Sequence, residues 1–353
     1  MNQTSGNTAS SEDVLPSIFD MDIGSDPDDT FVATLVLHSP EKFRPALLLT
    51  NDETPTAGRA RFLLQLVQES NVKVRIAAGL PSQKQRDRCL VEHAGLCAGE
   101  NTFEKDATAA LIGVLEAHSR VRYFSLGALT NLNAALSKRP DLAERVELFQ
   151  MGPALLGAYH RDRPQYNARL DPLAFKSVVT RVSMPRFVMS HSTWGTHLTS
   201  TRQMLGVYLD DPLTTELRAL SPVARLFVKH LEAWVDTGMP CTILHDPLTV
   251  LSAYFPNVVD TAAVQLVVHD SGWTSLNKPS HEELRALLPG RARVIERHLT
   301  SPFVDHEGAT ITCSMSLDTN DAAARRVIAA NLFGERGAGV AQAWGAHNGS
   351  RNE

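Results

Sequence analysis

Asp20-Met21-Asp22-Ile23-Gly24-Ser25-Asp26-Pro27-Asp28-Asp29 is the stretch on which both the fold and the chemistry turn. It places five carboxylates within ten residues. Upstream, the apolar run 17–19 reads as a short buried strand that delivers Asp20 and Asp22. Downstream, 29–38 sets Phe31, Val32, Leu35 and Val36 on one helical face, and Pro40 stops that helix. The loop thus joins the C-terminal end of a strand to the start of a helix, where open α/β sheets bind their ligands. Two like charges about 4 Å apart repel by on the order of 4 kcal/mol at an effective dielectric of about 20. Negative charge at a helix N-terminus gains only about 0.3–1 kcal/mol. A cap therefore accounts for one carboxylate, and a hard divalent cation with oxygen ligands accounts for the others.

Outward from this loop, strands are predicted at 46–50, 74–78, 121–126 and 146–151, with helices at 58–69, 106–118 and 129–136. Helix 58–69 directs Phe62, Leu63 and Leu66 inward. The alternation predicts an α/β fold: a single large Rossmann-like domain, its mostly parallel central sheet flanked by helices. The second half is less regular. Helices are expected at 171–180, 222–235, 247–254 and 321–332, and strands at 242–244, 263–268 and 310–315. Residues 1–14 are polar and read as a disordered tail, residues 15–336 as one domain, and the Gly-, Ala- and Asn-rich 337–353 as a mobile C-terminal tail.

Composition narrows the function classes. The net charge of −5 argues against a nucleic-acid partner, which needs a clustered basic face. No apolar run reaches 18 residues, so no membrane span is expected, and the N-terminus lacks the basic and apolar regions of a secretory signal. Cys89, Cys97, Cys241 and Cys313 form no C-x-x-C pair and read as unpaired thiols of a cytoplasmic protein. The glycines of 334–339 follow a helix and do not form a dinucleotide loop. His191-Ser192 lacks a nucleophile elbow. An EF-hand needs Gly and Glu where a loop counted from Asp20 has Ser25 and Phe31. What remains is a small-molecule enzyme built on the acidic loop.

Asp20-x-Asp22 after a first strand is similar to the opening of the haloacid-dehalogenase phosphatases, which would make Asp20 the nucleophile and Asp22 the acid/base. That pattern also needs a later Lys and a second acidic pair, and the only other Asp-Asp pair, Asp210-Asp211, follows no convincing buried strand. The loop more closely resembles the nucleoside hydrolases that prefer inosine and uridine, in a variant branch reading Asp-x-Asp-Ile-Gly-x-Asp-x-Asp-Asp. Three further segments match in order: Leu126-Gly127-Ala128-Leu129-Thr130-Asn131-Leu132; Met151-Gly152-Pro153 with Gln165-Tyr166-Asn167 and Asp171-Pro172; and His245-Asp246-Pro247-Leu248.

This resemblance implies the nucleoside hydrolase fold and hydrolysis of a ribosyl C1′–N bond through an oxocarbenium-like transition state. It implies Ca²⁺ held by Asp22, Asp29, the Thr130 carbonyl and Asp246, with Asp22 also taking the proton of the attacking water. Asp28, or Asp26 in this longer loop, would hold ribose hydroxyls together with Asn167, and Gln165, Met151 and Asn51 complete the implied substrate-binding set. His245 would donate a proton or a hydrogen bond to the departing base. Alone, Thr130 could be a helix cap, and His245-Asp246-Pro247 a helix-entry turn. A catalytically idle member that binds a ribosyl ligand is a third reading. Oligomers are common in the family.

The departures from the pattern concern the sugar. Gln165 stands where the family has Glu, and the preceding loop has Tyr159 and His160. These changes point to an altered 5′ position on the sugar; Arg161, Arg163 and Arg169 in the same stretch read either as a solvated loop or as a site for a 5′ modification, anionic in one version, because Arg forks suit phosphate. Pro153 stiffens its loop. Trp194, Trp234, Trp273 and Tyr254 are candidates for stacking on a base.

Overall fold

A computed structural model describes residues 15–84, 89–98, 102–155, 163–193, 205–288, 292–300 and 308–350. The expected tail 1–14, and Tyr159, His160, Arg161 and Trp194, lie outside the described residues.

Among the described residues nine strands form the central sheet: β1 Ser17–Met21, β2 Pro45–Thr50, β3 Ile76–Ala77, β4 Val121–Ser125, β5 Val146–Met151, β6 Arg186–Val188, β9 Val259–His269, β10 Thr274–Leu276 and β11 Gly308–Thr319. Two short strands, β7 Gly206–Val207 and β8 Thr242–Ile243, form a separate antiparallel pair. The large sheet runs β10-β9-β11-β6-β5-β4-β1-β2-β3. All its neighbours pair parallel except β11–β9 and β9–β10 at one edge. The expected single α/β domain with a mostly parallel sheet is the observed architecture.

Alternation along each strand supplies both faces of the sheet. In β1, Phe19 and Met21 enter one core and Ile18 the other. Phe19, Phe124 and Phe149 sit in register across β1, β4 and β5, their rings stacked with centroids 4.9 and 5.2 Å apart. The chain moves one way from β1 to β2 and β3, and the other way from β4 to β6. The gap between the C-terminal ends of β1 and β4 is therefore the topological switch point, where a crevice must open.

One expectation is corrected. Over residues 337–350 the expected mobile tail is a helix, Gly337–Ser350, with Trp344 wholly buried, Val340 and Ala341 also buried, and Arg325 over the indole; 351–353 lie outside the described residues. Gly and Ala mimic loop composition, but Val340, Ala341 and Trp344 repeat at helical spacing and pack on the Asp321–Phe333 helix. The expected short strand 242–244 is present as Thr242–Ile243, paired with Gly206–Val207 apart from the main sheet.

Buried His230 ties helix Pro222–Val235 to the acidic loop and its helix. Its Nδ1 bonds the Thr30 hydroxyl at 2.9 Å and its Nε2 faces the Ser25 carbonyl at 3.3 Å. Burial lowers its pKa from 6.5 to about 3, so the folded chain holds it neutral. The unfolded imidazole takes up its proton at the higher pH. The stability this site contributes is therefore intact above about pH 6.5 and is lost, at about 1.4 kcal/mol per pH unit, as pH falls toward the folded value. Urea unfolding between pH 6.5 and 4.5 should give a shallower pH dependence for His230→Gln than for the wild type; equal slopes would remove His230 as a source of acid sensitivity.

Candidate active site

The crevice at the switch point is a cavity of about 300 Å³. The acidic loop gives it Asp22, Ser25, Asp26, Asp28 and Asp29. Leu126 follows β4, Met151 ends β5, and Gln165 and Asn167 come from the segment after β5. His245 and Asp246 open the His245–Tyr254 helix. Trp234, Met239, Cys241 and Ile243 add apolar surface to the lining.

The acidic loop takes this shape for local reasons. Gly24 sits at φ +103°, in the left-handed region, and an added Cβ would meet Val91 at 2.8 Å and Cys89 at 3.0 Å. The turn therefore packs flat on the 89–93 segment and sends its carboxylates the other way. Asp28, Asp29 and Asp246 converge, with one carboxylate oxygen from each lying within 4.8 Å of the others, all three buried. Burial first, and repulsion from neighbouring carboxylates second, push all three well above the usual carboxylate range; Asp26 and Asp22 repel Asp28, Asp22 and Asp28 repel Asp29, and Asp28, Asp29 and Asp22 repel Asp246. Asp29 Oδ1 is buried with no hydrogen-bond partner among the described residues. An orphaned carboxylate oxygen among three converging carboxylates fits a hard cation such as Ca²⁺, whose preferred ligands are oxygens.

Asp22 is half-buried beside this triad and lines the cavity. Asp26 also lines it, accepting a hydrogen bond from the Thr242 hydroxyl on β8; burial pushes its pKa up to about 7. Asn167 Nδ2 is anchored on the Leu126 and Met151 carbonyls at 2.7 and 3.2 Å. Gln165 Oε1 accepts the Asn167 and Ala168 amides at 2.9 and 3.3 Å, capping the Tyr166–Leu170 helix. Gly152, at φ +81°, leaves the space that this amide fills. His245 Nδ1 bonds the Thr193 hydroxyl at 2.6 Å, and burial lowers its pKa to about 4.

Not every expected site residue reaches the cavity. Thr130 is not among its lining residues; its hydroxyl donates to Asp171 at 2.8 Å, joining two helices. The residue at the mouth of β4 is Leu126, because the strand ends at Ser125, five residues before Thr130. Asn51 is likewise absent from the lining: its amide donates to Asp20 at 3.2 Å and to the Ala128 carbonyl. Asp20 is turned into the protein, accepting Tyr123 Oη at 2.5 Å, Asn131 at 2.9 Å and Asn51 at 3.2 Å. A carboxylate so enclosed cannot be a phosphatase nucleophile. Trp234 lines the cavity, whereas Trp273 is buried away from it and Tyr254 stacks on Phe124 and bonds Ser17. No Lys or Arg appears in the lining among the described residues, and the Arg169 guanidinium lies over the Tyr166 ring.

The reading of the sequence missed the residue beneath the loop. Arg59 is wholly buried, and its guanidinium donates to the carbonyls of Asp22 and Ile23. The signal was present, since Arg59 lies on the same helical face as Phe62, Leu63 and Leu66.

The family model described as inosine-uridine preferring nucleoside hydrolase matches residues 17–322, and the chain belongs to that family, hydrolases that act on N-glycosidic bonds. Solved structures share its fold. A plant nucleoside hydrolase, PpNRh1, is 18% identical with a TM-score of 0.66, covering 91% of this chain and 100% of its own. The inosine-uridine preferring nucleoside hydrolase of Bacillus anthracis is 14% identical at 0.62, covering 89% and 99%. The type III effector protein XopQ, solved with adenosine diphosphate ribose, is 18% identical at 0.55, covering 81% and 92%. No curated protein sequence matches the chain.

A cation that binds here must displace protons from the raised carboxylates, so its affinity should climb with pH. In thermal unfolding, CaCl₂ should raise the midpoint more at pH 8 than at pH 6, and Asp29→Asn should remove most of the shift. No shift at either pH would exclude a Ca²⁺ site.

Proposed function

We propose that the chain is a Ca²⁺-dependent ribonucleoside hydrolase of the variant branch marked by its longer acidic loop. The observation that carries this reading is the Asp28, Asp29 and Asp246 triad in a cavity that Asp22, Asn167 and His245 also line. Asp28, Asp29 and Asp246 would hold the ion, with Asp22 beside them; when bound, it lowers the pKa of a coordinated water and orients it. Asp22, half-exposed to the cavity, accepts the proton of the attacking water. Asp28 and Asn167 hold the vicinal ribose hydroxyls, and Asp26 faces the same volume from the β8 side. Carboxylates crowded around the sugar also favour the positive charge that develops on the ring in an oxocarbenium-like transition state.

His245 acts as a hydrogen-bond donor and not as a preformed acid. With its pKa near 4 it is neutral at physiological pH, and a Thr193 hydroxyl that donates to Nδ1 leaves Nε2–H for the departing base. Trp234, Met239 and Ile243 supply apolar surface against which a base can lie. Four cysteines that form no disulfide fit a reducing compartment, and we place the enzyme in the cytoplasm.

A second reading concerns the sugar's 5′ position. Gln165 brings no charge to this part of the cavity, and its Oε1 is already engaged as a helix cap. The fold relative XopQ was solved with a ligand whose ribose is substituted at the 5′ position. A 5′-substituted ribosyl substrate is therefore the alternative to a free nucleoside.

Incubation with ribonucleosides, their 5′-monophosphates and simple phosphate esters decides among these. The reading predicts release of free base and a reducing sugar, suppressed by EDTA and restored by Ca²⁺, with no phosphate released. Asp22→Asn should lower kcat by at least about 10²-fold, the usual scale of a lost general base, with the fold intact by circular dichroism. Base release that survives in Asp22→Asn would assign the proton to another group. Faster turnover of the 5′-monophosphates would select the second reading.

A further inference from the structure

Beneath the acidic loop lies a buried guanidinium to which the family pattern gives no part. Arg59 is the second residue of the Gly58–Ser70 helix and is wholly inaccessible. Its Nη1 donates to the Asp22 carbonyl, to the Ile23 carbonyl at 2.7 Å and to Ser25 Oγ at 3.4 Å. Its Nε donates to the Asp52 carbonyl at 3.0 Å, and its Nη2 stands 3.8 Å from the Asp52 carboxylate. One planar group thus holds three residues of the loop, Asp22, Ile23 and Ser25, against the turn that follows β2.

That turn is itself fixed. Glu53 accepts the Arg59 and Ala60 amides at 3.1 and 2.9 Å and the Thr50 hydroxyl at 2.7 Å. Asp52, at φ +48°, accepts the Ser82 hydroxyl at 2.6 Å. Arg59 therefore projects from a braced helix start and cannot follow the loop if the loop drifts. Its positive charge also lies close enough to Asp22 and Asp29 to offset part of their repulsion.

We propose that Arg59 is the positioning residue of the cation site: by holding the Asp22 and Ile23 carbonyls and the Ser25 hydroxyl it keeps the loop in the ion-ready shape before the ion arrives. Like charges along this loop push it open, and nothing about the carboxylates alone would keep them convergent. The guanidinium opposes that tendency from the side away from the cavity, where it makes no contact with water or substrate. Its rigid fork matters as much as its charge, because a lysine ammonium can reach one of these acceptors but not bridge the loop to Asp52. Groups that orient metal ligands from behind typically change metal affinity or activity by about 10- to 100-fold when removed.

The inference rests on the reading of Asp28, Asp29 and Asp246 as a cation site, and the test separates the two. Ca²⁺ binding to the full chain is measured by isothermal titration for the wild type, Arg59→Met and Arg59→Lys, alongside the thermal unfolding of each in EDTA. Arg59→Met should weaken Ca²⁺ binding by about 10- to 100-fold, with Arg59→Lys between it and the wild type. The loss of kcat should be recovered by raising Ca²⁺, which a general loss of packing would not allow. If Arg59→Met does not unfold cooperatively, Arg59→Lys decides. Affinity within twofold of the wild type in a folded variant, or a kcat that no Ca²⁺ concentration restores, overturns the role of Arg59. A wild-type chain that binds no Ca²⁺ overturns the cation site beneath it.

Discussion

Everything around the cavity answers to one electrostatic constraint: Asp28, Asp29 and Asp246 are buried together, with Asp22 and Asp26 close by. Burial and mutual repulsion both favour the protonated forms, so the ionised cluster is stable only with opposing charge. The protein supplies part of it from behind, through Arg59, and leaves the front open to solution. An orphaned Asp29 oxygen is the mark of a group whose partner comes from outside the chain.

The scaffold spends its most rigid elements on this arrangement. β1 carries the loop at the switch point, and stacked Phe19, Phe124 and Phe149 fix β1, β4 and β5 in register beneath it. Asp20 is the first carboxylate of the segment, yet it serves as a buried acceptor for Tyr123, Asn131 and Asn51. Those three bonds lash β1 to β4, to the helix Thr130–Lys138 that follows it, and to the turn after β2. Burial pushes Asp20 up to about 7, so even this structural carboxylate stays a good partner for donors only because three of them surround it. The pleat would put residues two apart on one face, but β1 ends at Met21, so Asp20 stays with the core while Asp22, one residue beyond the strand, turns to the cavity.

The sequence made the frame legible where periodicity and chemistry agreed. The strands at 46–50, 121–126 and 146–151 and the helices after them fall within a residue or two of their observed positions. Asp22, Asp28, Asp29, Asn167, Gln165, Met151, His245 and Asp246 do line one cavity. Thr130 and Asn51 do not, because linear motifs show which residues are neighbours in the chain and not which side of a strand end faces the crevice. Helix 337–350 was hidden by its Gly and Ala content, whose role depends on Trp344 finding a partner helix. His245 could be placed but its charge state could not, since its depressed pKa arises from burial among residues distant in sequence. Arg59 was passed over because a charged residue on an apolar helix face looks like surface until the loop it holds is known.

The measurement closest to the centre of this account is a crystal structure of the chain grown in CaCl₂ at pH 8. It should show one ion about 2.3–2.6 Å from carboxylate oxygens of Asp28, Asp29 and Asp246, with Asp29 Oδ1 among the ligands and the Arg59 contacts to Asp22 and Ile23 intact. A cluster that remains free of any ion at saturating Ca²⁺, its carboxylates paired by shared protons instead, would contradict the account.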